Sequence, residues 1–214
     1  MSAHCCHHEP PPPPRQDDPA QAARARAYRR ALWIALIVNA TMFGVEITSG
    51  IAAGSQSLLA DSLDFLGDAA NYTLSLAVLG TALAVRARAA QVKALSMAAF
   101  GLLVLASAFW HALTGAPPQA ATMGLIGSLA LAANLGVAAL LYAHRSGDAN
   151  MRSVWLCTRN DALGNLAVLI AALGVFGTGS AWPDLVVAAA MALLALHSAT
   201  QVLRQARGEL AQAR

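Results

Sequence analysis

The stretch Ser57-Leu58-Leu59-Ala60-Asp61-Ser62-Leu63-Asp64-Phe65-Leu66-Gly67-Asp68 decides how the chain is read. It opens an apolar segment over residues 57–84, long enough to cross a hydrocarbon layer of about 30 Å, yet it carries three carboxylates. A charged group in hydrocarbon costs several kcal/mol, so such residues are rare and usually functional. The offsets i, i+3 and i+7 place Asp61, Asp64 and Asp68 on one face of a helix. A single Asp can act as hydrogen-bonding glue between helices. Three on one stripe repel one another unless a cation or protons compensate, and a proton relay does not exclude metal.

Outward from this segment the chain keeps the same character. Hydrophobic residues make up 57% of the 214 and charged residues 12%, about half the charge of a soluble domain. The expected fold class is all-α: a polytopic membrane protein with six transmembrane helices, at about 31–52, 57–84, 93–114, 119–143, 152–176 and 183–203. Breakers separate them, among them Gly54-Ser55, Gly115-Ala116-Pro117-Pro118, Ser146-Gly147-Asp148 and Gly177-Thr178-Gly179. Residues 1–28 read as a disordered Cys/His- and Pro-rich tail, residues 29–204 as the membrane domain, and residues 205–214 as a short C-terminal tail. No signal peptide is visible in the polar N-terminal stretch.

The fourteen Lys and Arg residues fall before span one, in the linkers after spans two and four, near the starts of spans three and five, or at the C-terminus. The linkers after spans one, three and five contain none, so the positive-inside rule puts both termini in the cytoplasm. A net charge of +3 does not argue for nucleic acid, because the basic residues lie between apolar runs rather than on one soluble face. The three cysteines make no disulfide framework.

Span five supplies a counterpart to the stripe. Cys157 and Asp161 are four apart and share a face, and Asp161 sits about ten residues, or roughly 15 Å, from the cytoplasmic end. Asp68 lies about as deep from the other side. Asp64, Asp68, Cys157 and Asp161 give the four ligands of a tetrahedral divalent site, and Zn²⁺ accepts carboxylate oxygen and cysteine sulfur. A lone buried Cys, by contrast, packs as a small apolar group.

These residues resemble the cation diffusion facilitator family of metal/proton antiporters. The resemblance runs through Asn39, Phe43, Glu46 and Gly50 in span one, Gly54 to Asp61 at the entry to span two, and Asp64-Phe65-Leu66-Gly67-Asp68. It continues through Asn134-Leu135, Asn150-Met151-Arg152, the stretch Cys157 to Asn165, and Trp182-Pro183-Asp184. It implies a homodimeric exporter in the inner (plasma) membrane, with divalent metal ions and protons as partners and spans two and five holding one metal at mid-membrane. Metal is then the transported substrate, with no prosthetic group and no enzymatic activity. Zn²⁺ leads, with Cd²⁺, Co²⁺, Ni²⁺ or Fe²⁺ as alternatives. Deprotonated carboxylates and thiolate bind metal, so loading releases protons and protonation expels metal.

The chain departs from the family at three points. Cys157 stands where His or Asp is common, which favours soft ions unless water or Asn160 completes the shell. Arg159, inside span five, snorkels to the interface or pairs with an acid. The soluble C-terminal domain common in the family is not expected after span six.

Asp61 is expected on the access path, with Asn39, Glu46, Asn160 and Asn165 around the site or in helix packing. His4, Cys5, Cys6, His7 and His8 form a soft-ligand tract suited to metal capture or to incidental binding. Trp33, Trp110, Trp155 and Trp182 lie near span ends, as in an aromatic belt. A membrane-embedded metal-binding regulator without transport is the competing reading. An intramembrane metalloenzyme ranks below both, because no zincin-type helix or nucleophile elbow is present.

Overall fold

The computed structural model describes residues 19–77, 83–142 and 149–212, without the side chains of 19–22, 25, 83–86, 89, 114, 149–160 and 212. Six helices make up these residues: α1 (Pro19–Ala53), α2 (Gln56–Ala77), α3 (Leu83–Thr114), α4 (Ala120–Tyr142), α5 (Ala149–Thr178) and α6 (Trp182–Gln212). The protein is an all-α, multi-pass membrane protein.

The helices begin and end where local chemistry directs. At the end of α1, Gly54 adopts φ 68°, a left-handed conformation open to glycine at little cost. Its N–H donates to the Ile51 carbonyl at 3.3 Å and the Ser55 N–H donates to that of Gly50 at 3.0 Å, the Schellman pattern of helix termination. Gly115 and Gly179 end α3 and α5 with the simpler bond back to His111 and Val175, at 2.9 and 2.8 Å. Three helices, α1, α3 and α6, outrun their spans by two turns or more. α1 starts at Pro19, inside the stretch read as tail, where a helix-permissive first-turn proline leads into the Ala- and Arg-rich run of residues 20–30. α6 runs on to Gln212, helped by Gln205 donating to Glu209 one turn later at 3.0 Å. Residues 83–84, read as the end of span two, open α3.

Among the described residues, five helices carry a stretch long and apolar enough to cross a membrane, and α2 is the exception. The reason is its three aspartates, not its length, since 22 residues rise about 33 Å. α2 resolves the conflict by position: it touches all five other helices. Leu58, Ala60 and Leu63 on α2 pack into a core with Val104, Met123, Val168, Ala188 and Met191 from α3, α4, α5 and α6. A second core joins Tyr72 of α2 to Ala31, Leu32 and Ala35 of α1 and Leu141 of α4. Large apolar side chains such as Ile37, Leu103, Leu125, Ile170 and Leu194 point outward. In water this surface would be a liability; against lipid it is the expected face. Trp110 and Trp182 are exposed near helix ends and Trp33 is exposed within α1, while Trp155 is outside the described side chains.

Candidate metal-translocation site

The acidic side chains of the bundle form a ladder from the end that holds Gly54, Gly115 and Gly179, the loop end, towards the end that holds Pro19 and Gln212. At its top stands Asp184, in the first turn of α6 and 1% exposed. Its Oδ1 accepts from Ser55 Oγ at 2.7 Å, Ser57 N at 3.0 Å and Ser57 Oγ at 2.6 Å, and its Oδ2 accepts from Gln56 N at 2.8 Å. Ser55 caps α2 in the ordinary way, its Oγ accepting from Leu58 N at 3.2 Å. The first amides of α2, which lack partners within their own helix, are thereby satisfied. Asp184 thus meets four donors, all from residues 55–57 at the start of α2.

Below it the carboxylates lack such donors. Glu46 of α1 and Asp61 of α2 are both fully buried, and their carboxyls lie within hydrogen-bonding range of each other. Neither brings a donor when ionised, so all four oxygens lack a partner within the protein. Asp64, one turn on, is partly exposed and close enough to Glu46, Asp61 and Asp68 for their charges to interact. α5 approaches here through Gly164: a Cβ at that position would stand 3.5 Å from Asp64 Oδ2 and 3.6 Å from Asp61 Oδ1.

Lower still, Asp161 of α5 reaches hydrogen-bonding range of Asp68 and lies within charge range of Asp64 and Asp61. Its Oδ2 has no partner within the protein. Asp68 is 7% exposed and accepts from the Tyr72 hydroxyl at 2.8 Å. The carbonyl oxygens of Asn39, Asn134 and Asn165 are likewise buried without a partner. For Asn39 and Asn165 the amide orientation is fixed, because each NH₂ donates to the carbonyl one turn back, Ala35 at 2.8 Å and Asp161 at 3.0 Å. The interior therefore presents oxygens that accept and do not donate. Such an interior suits a cation or protons, and each buried acceptor left unmet is costly.

Of the residues expected at the site, Asp64, Asp68 and Asp161 are brought together, with Asp61 and Glu46 a turn above. Among the described residues they do not close into a group of three His, Cys, Asp or Glu arranged around one point. Cys157 and Asn160, as well as His4, Cys5, Cys6, His7 and His8, lie outside the described side chains, as does Arg159. Sequence reasoning gave no role to Gly164, Tyr72 or the serines that meet Asp184. The four-residue spacing of Asp68 and Tyr72 was the available signal for one of them.

The bundle from residue 32 to residue 211, which takes in all six helices, matches the model of the cation efflux transmembrane domain. The chain belongs to the cation efflux family. Among its relatives is the metal cation efflux system protein CzcD of Cupriavidus metallidurans, 29% identical over 183 residues, which are 78% of this chain and 57% of that protein. The zinc transporter ZitB of Escherichia coli is 29% identical over 195 residues, 85% of this chain and 62% of the relative. ZitB of Pectobacterium atrosepticum is 29% identical over 199 residues, 85% and 61% of the two chains. This cation efflux chain spans about three-fifths of the length of the relatives it matches.

Proposed function

We propose that the protein exports a divalent metal cation, Zn²⁺ foremost, from the cytoplasm in exchange for protons by alternating access. One observation carries this reading: in the middle of a membrane bundle, Glu46, Asp61 and Asp161 keep oxygens that no donor meets, within charge range of Asp64 and, for Asp161, of Asp68. A merely structural set of buried acids would be satisfied as Asp184 is. The names borne by relatives, a metal cation efflux protein and zinc transporters, point the same way.

In this reading Asp64, Asp68, Cys157 and Asp161 hold the ion. Facing carboxylates repel until a cation lies between them, and protons can replace it. Export and proton entry are then two uses of one set of oxygens. A thiolate in the shell favours Zn²⁺ or Cd²⁺ over Mn²⁺. The His4–His8 tract delivers metal to the inner mouth. The working unit is a dimer of this chain in the inner membrane, termini inward.

The deciding experiment is uptake into sealed vesicles carrying the purified protein, with Zn²⁺, Cd²⁺, Co²⁺, Ni²⁺, Fe²⁺ and Mn²⁺ offered in turn. Wild type should take up Zn²⁺ with counterflow of protons, and Asp161→Ala should fall to the empty-vesicle rate. Transport by Asp161→Ala at the wild-type rate would show the site to be wrong, and no flux with any metal would favour a regulator instead. Cys157→His should keep Zn²⁺ transport and lose preference for Cd²⁺; an unchanged preference removes Cys157 from the shell.

A further inference from the structure

Asp184 is the one acid of the ladder whose role lies outside ion binding, and its surroundings are those of a fastening. The geometry points to Asp184 as the bar of a gate at the loop end: it pins the acid-bearing helix α2 to α6, and its release opens the site to the outer side. This inference rests on the transport reading above. Asp184 is a positioning residue and touches no ion.

Three observations converge on it. The first is the grip itself. A single carboxylate sits at the starts of both α6 and α2, where the positive ends of two helix dipoles favour an anion, and takes four donors from the α2 cap Ser55 and the first two α2 residues, Gln56 and Ser57. Hydrogen bonds to an ionised acceptor are about twice as strong as neutral ones. The second is the footing. Pro183, beside it, packs so closely on α5 that a Cβ on Gly174 would stand 2.8 Å from the proline Cβ. The bar is thus mounted on a rigid ring wedged against α5, while α2 is the part held.

The third is the burial of the start of α2. Ser55, Gln56, Ser57, Leu58, Ala60 and Asp61 are all 2% exposed or less. Asp64, and Asp161 across from it, are partly exposed. The start of α2 is thus covered by protein from Ser55 to Leu58 and again at Ala60 and Asp61, the stretch between the bar and the carboxylates. Neighbouring ties act on the same end: Gln119 N donates to the Ala53 carbonyl at 3.0 Å, joining the α3–α4 linker to the end of α1. Gln56 Nε2 meets His111 Nδ1 of α3 at 3.3 Å. For metal to leave outward past Asp61, the start of α2 must part from these neighbours, and the Asp184 grip is the strongest of the bonds that must break.

The test reads access and needs no metal. A reporter cysteine replaces Ala60, 2% exposed and just below the bar, in the full-length chain in sealed vesicles. A membrane-impermeant maleimide is added to the loop side, and the chain without the reporter gives the background from Cys5, Cys6 and Cys157. Labelling should be slow with Asp184 present and at least about tenfold faster in Asp184→Asn, whose NH₂ meets α2 amides that need an acceptor. Ser57→Ala, which removes one donor and keeps the carboxylate, should shift the rate the same way by less.

A second reporter, Ala130→Cys on α4, should label at an unchanged rate. An Asp184→Asn rate equal to the parent's overturns the gate, as does equal acceleration at both reporters, which would mean general loosening. If Asp184→Asn does not fold, the Ser57→Ala rate decides, and no change overturns the proposal. Faster labelling in a protein that moves no metal keeps the gate and sinks the transport reading; normal transport with unchanged labelling does the reverse.

Discussion

Asp184 and Asp161 are the same side chain in the same bilayer, and what meets their oxygens separates them. Four donors settle Asp184, whereas Asp161 faces another acid and keeps Oδ2 unmet. The acids of the site were legible in the sequence because a charge inside an apolar run stands out whatever the fold. The bar was not legible, because an acid in the first turn of a helix reads as serving that helix, and its partners lie up to 129 residues away. Gly164 was hidden for a similar reason, since a glycine shows its use only when the facing helix is in place. At that position alanine would bring its methyl to 3.5 Å from Asp64 Oδ2, ordinary contact, with the nearest neighbour the flexible end of Met191 at 3.3 Å. Gly164→Ala should therefore fold normally and bind Zn²⁺ with little change. Gly164→Val adds two methyls against the carboxylates and should weaken binding about tenfold or more, as overpacking of 1–3 kcal/mol implies. Calorimetric titration of both variants with Zn²⁺ in detergent decides it, and an unaltered affinity for Gly164→Val would place the ion away from this contact.

At the scale of helices, α2 shows why composition and position must be read together. Its hydropathy falls short of the other five, yet it is the helix that touches all of them. The sequence indicated six helices from their apolar runs and breakers; their ends were less legible. Ala- and Arg-rich residues outside the bilayer carry α1 back to Pro19, and strong helix formers carry α6 on to Gln212, where the apolar pattern gives no guidance. Helix contacts made through glycine give a stability prediction. Gly174→Ala would put a methyl 2.8 Å from a proline ring that cannot rotate away, and should cost about 1–3 kcal/mol. Gly136 on α4 has nothing within 4 Å of a built Cβ, so Gly136→Ala should be neutral or stabilise by up to about 1 kcal/mol through helix propensity. Thermal unfolding in detergent should lower the midpoint for the first and hold or raise it for the second. Equal midpoints would mean that α5 and α6 do not pack through Gly174.

For the described residues as a whole, an even number of helices puts Gly54, Gly115 and Gly179 at one end and Pro19 and Gln212 at the other, the terminal end. The charges follow this division. Arg24, Arg26, Arg29, Arg30, Arg88, Arg204 and Arg207 are all exposed, and all lie towards the terminal end. The glycine turns carry no Lys or Arg, so the loop end is the cheaper one to translocate. On the proposed export reading, the face sealed by Asp184 is the outer one, and Asp64 and Asp161 load from the cytoplasm. Orientation is measurable without transport. Ala116→Cys, exposed in the α3–α4 linker, should react with an impermeant maleimide in intact spheroplasts. Gly208→Cys, exposed on α6 with open space around it, should react only after the membrane is permeabilised. The reverse pattern would place the termini outside, and the same acidic ladder would then load metal from the external medium and drive uptake instead of export.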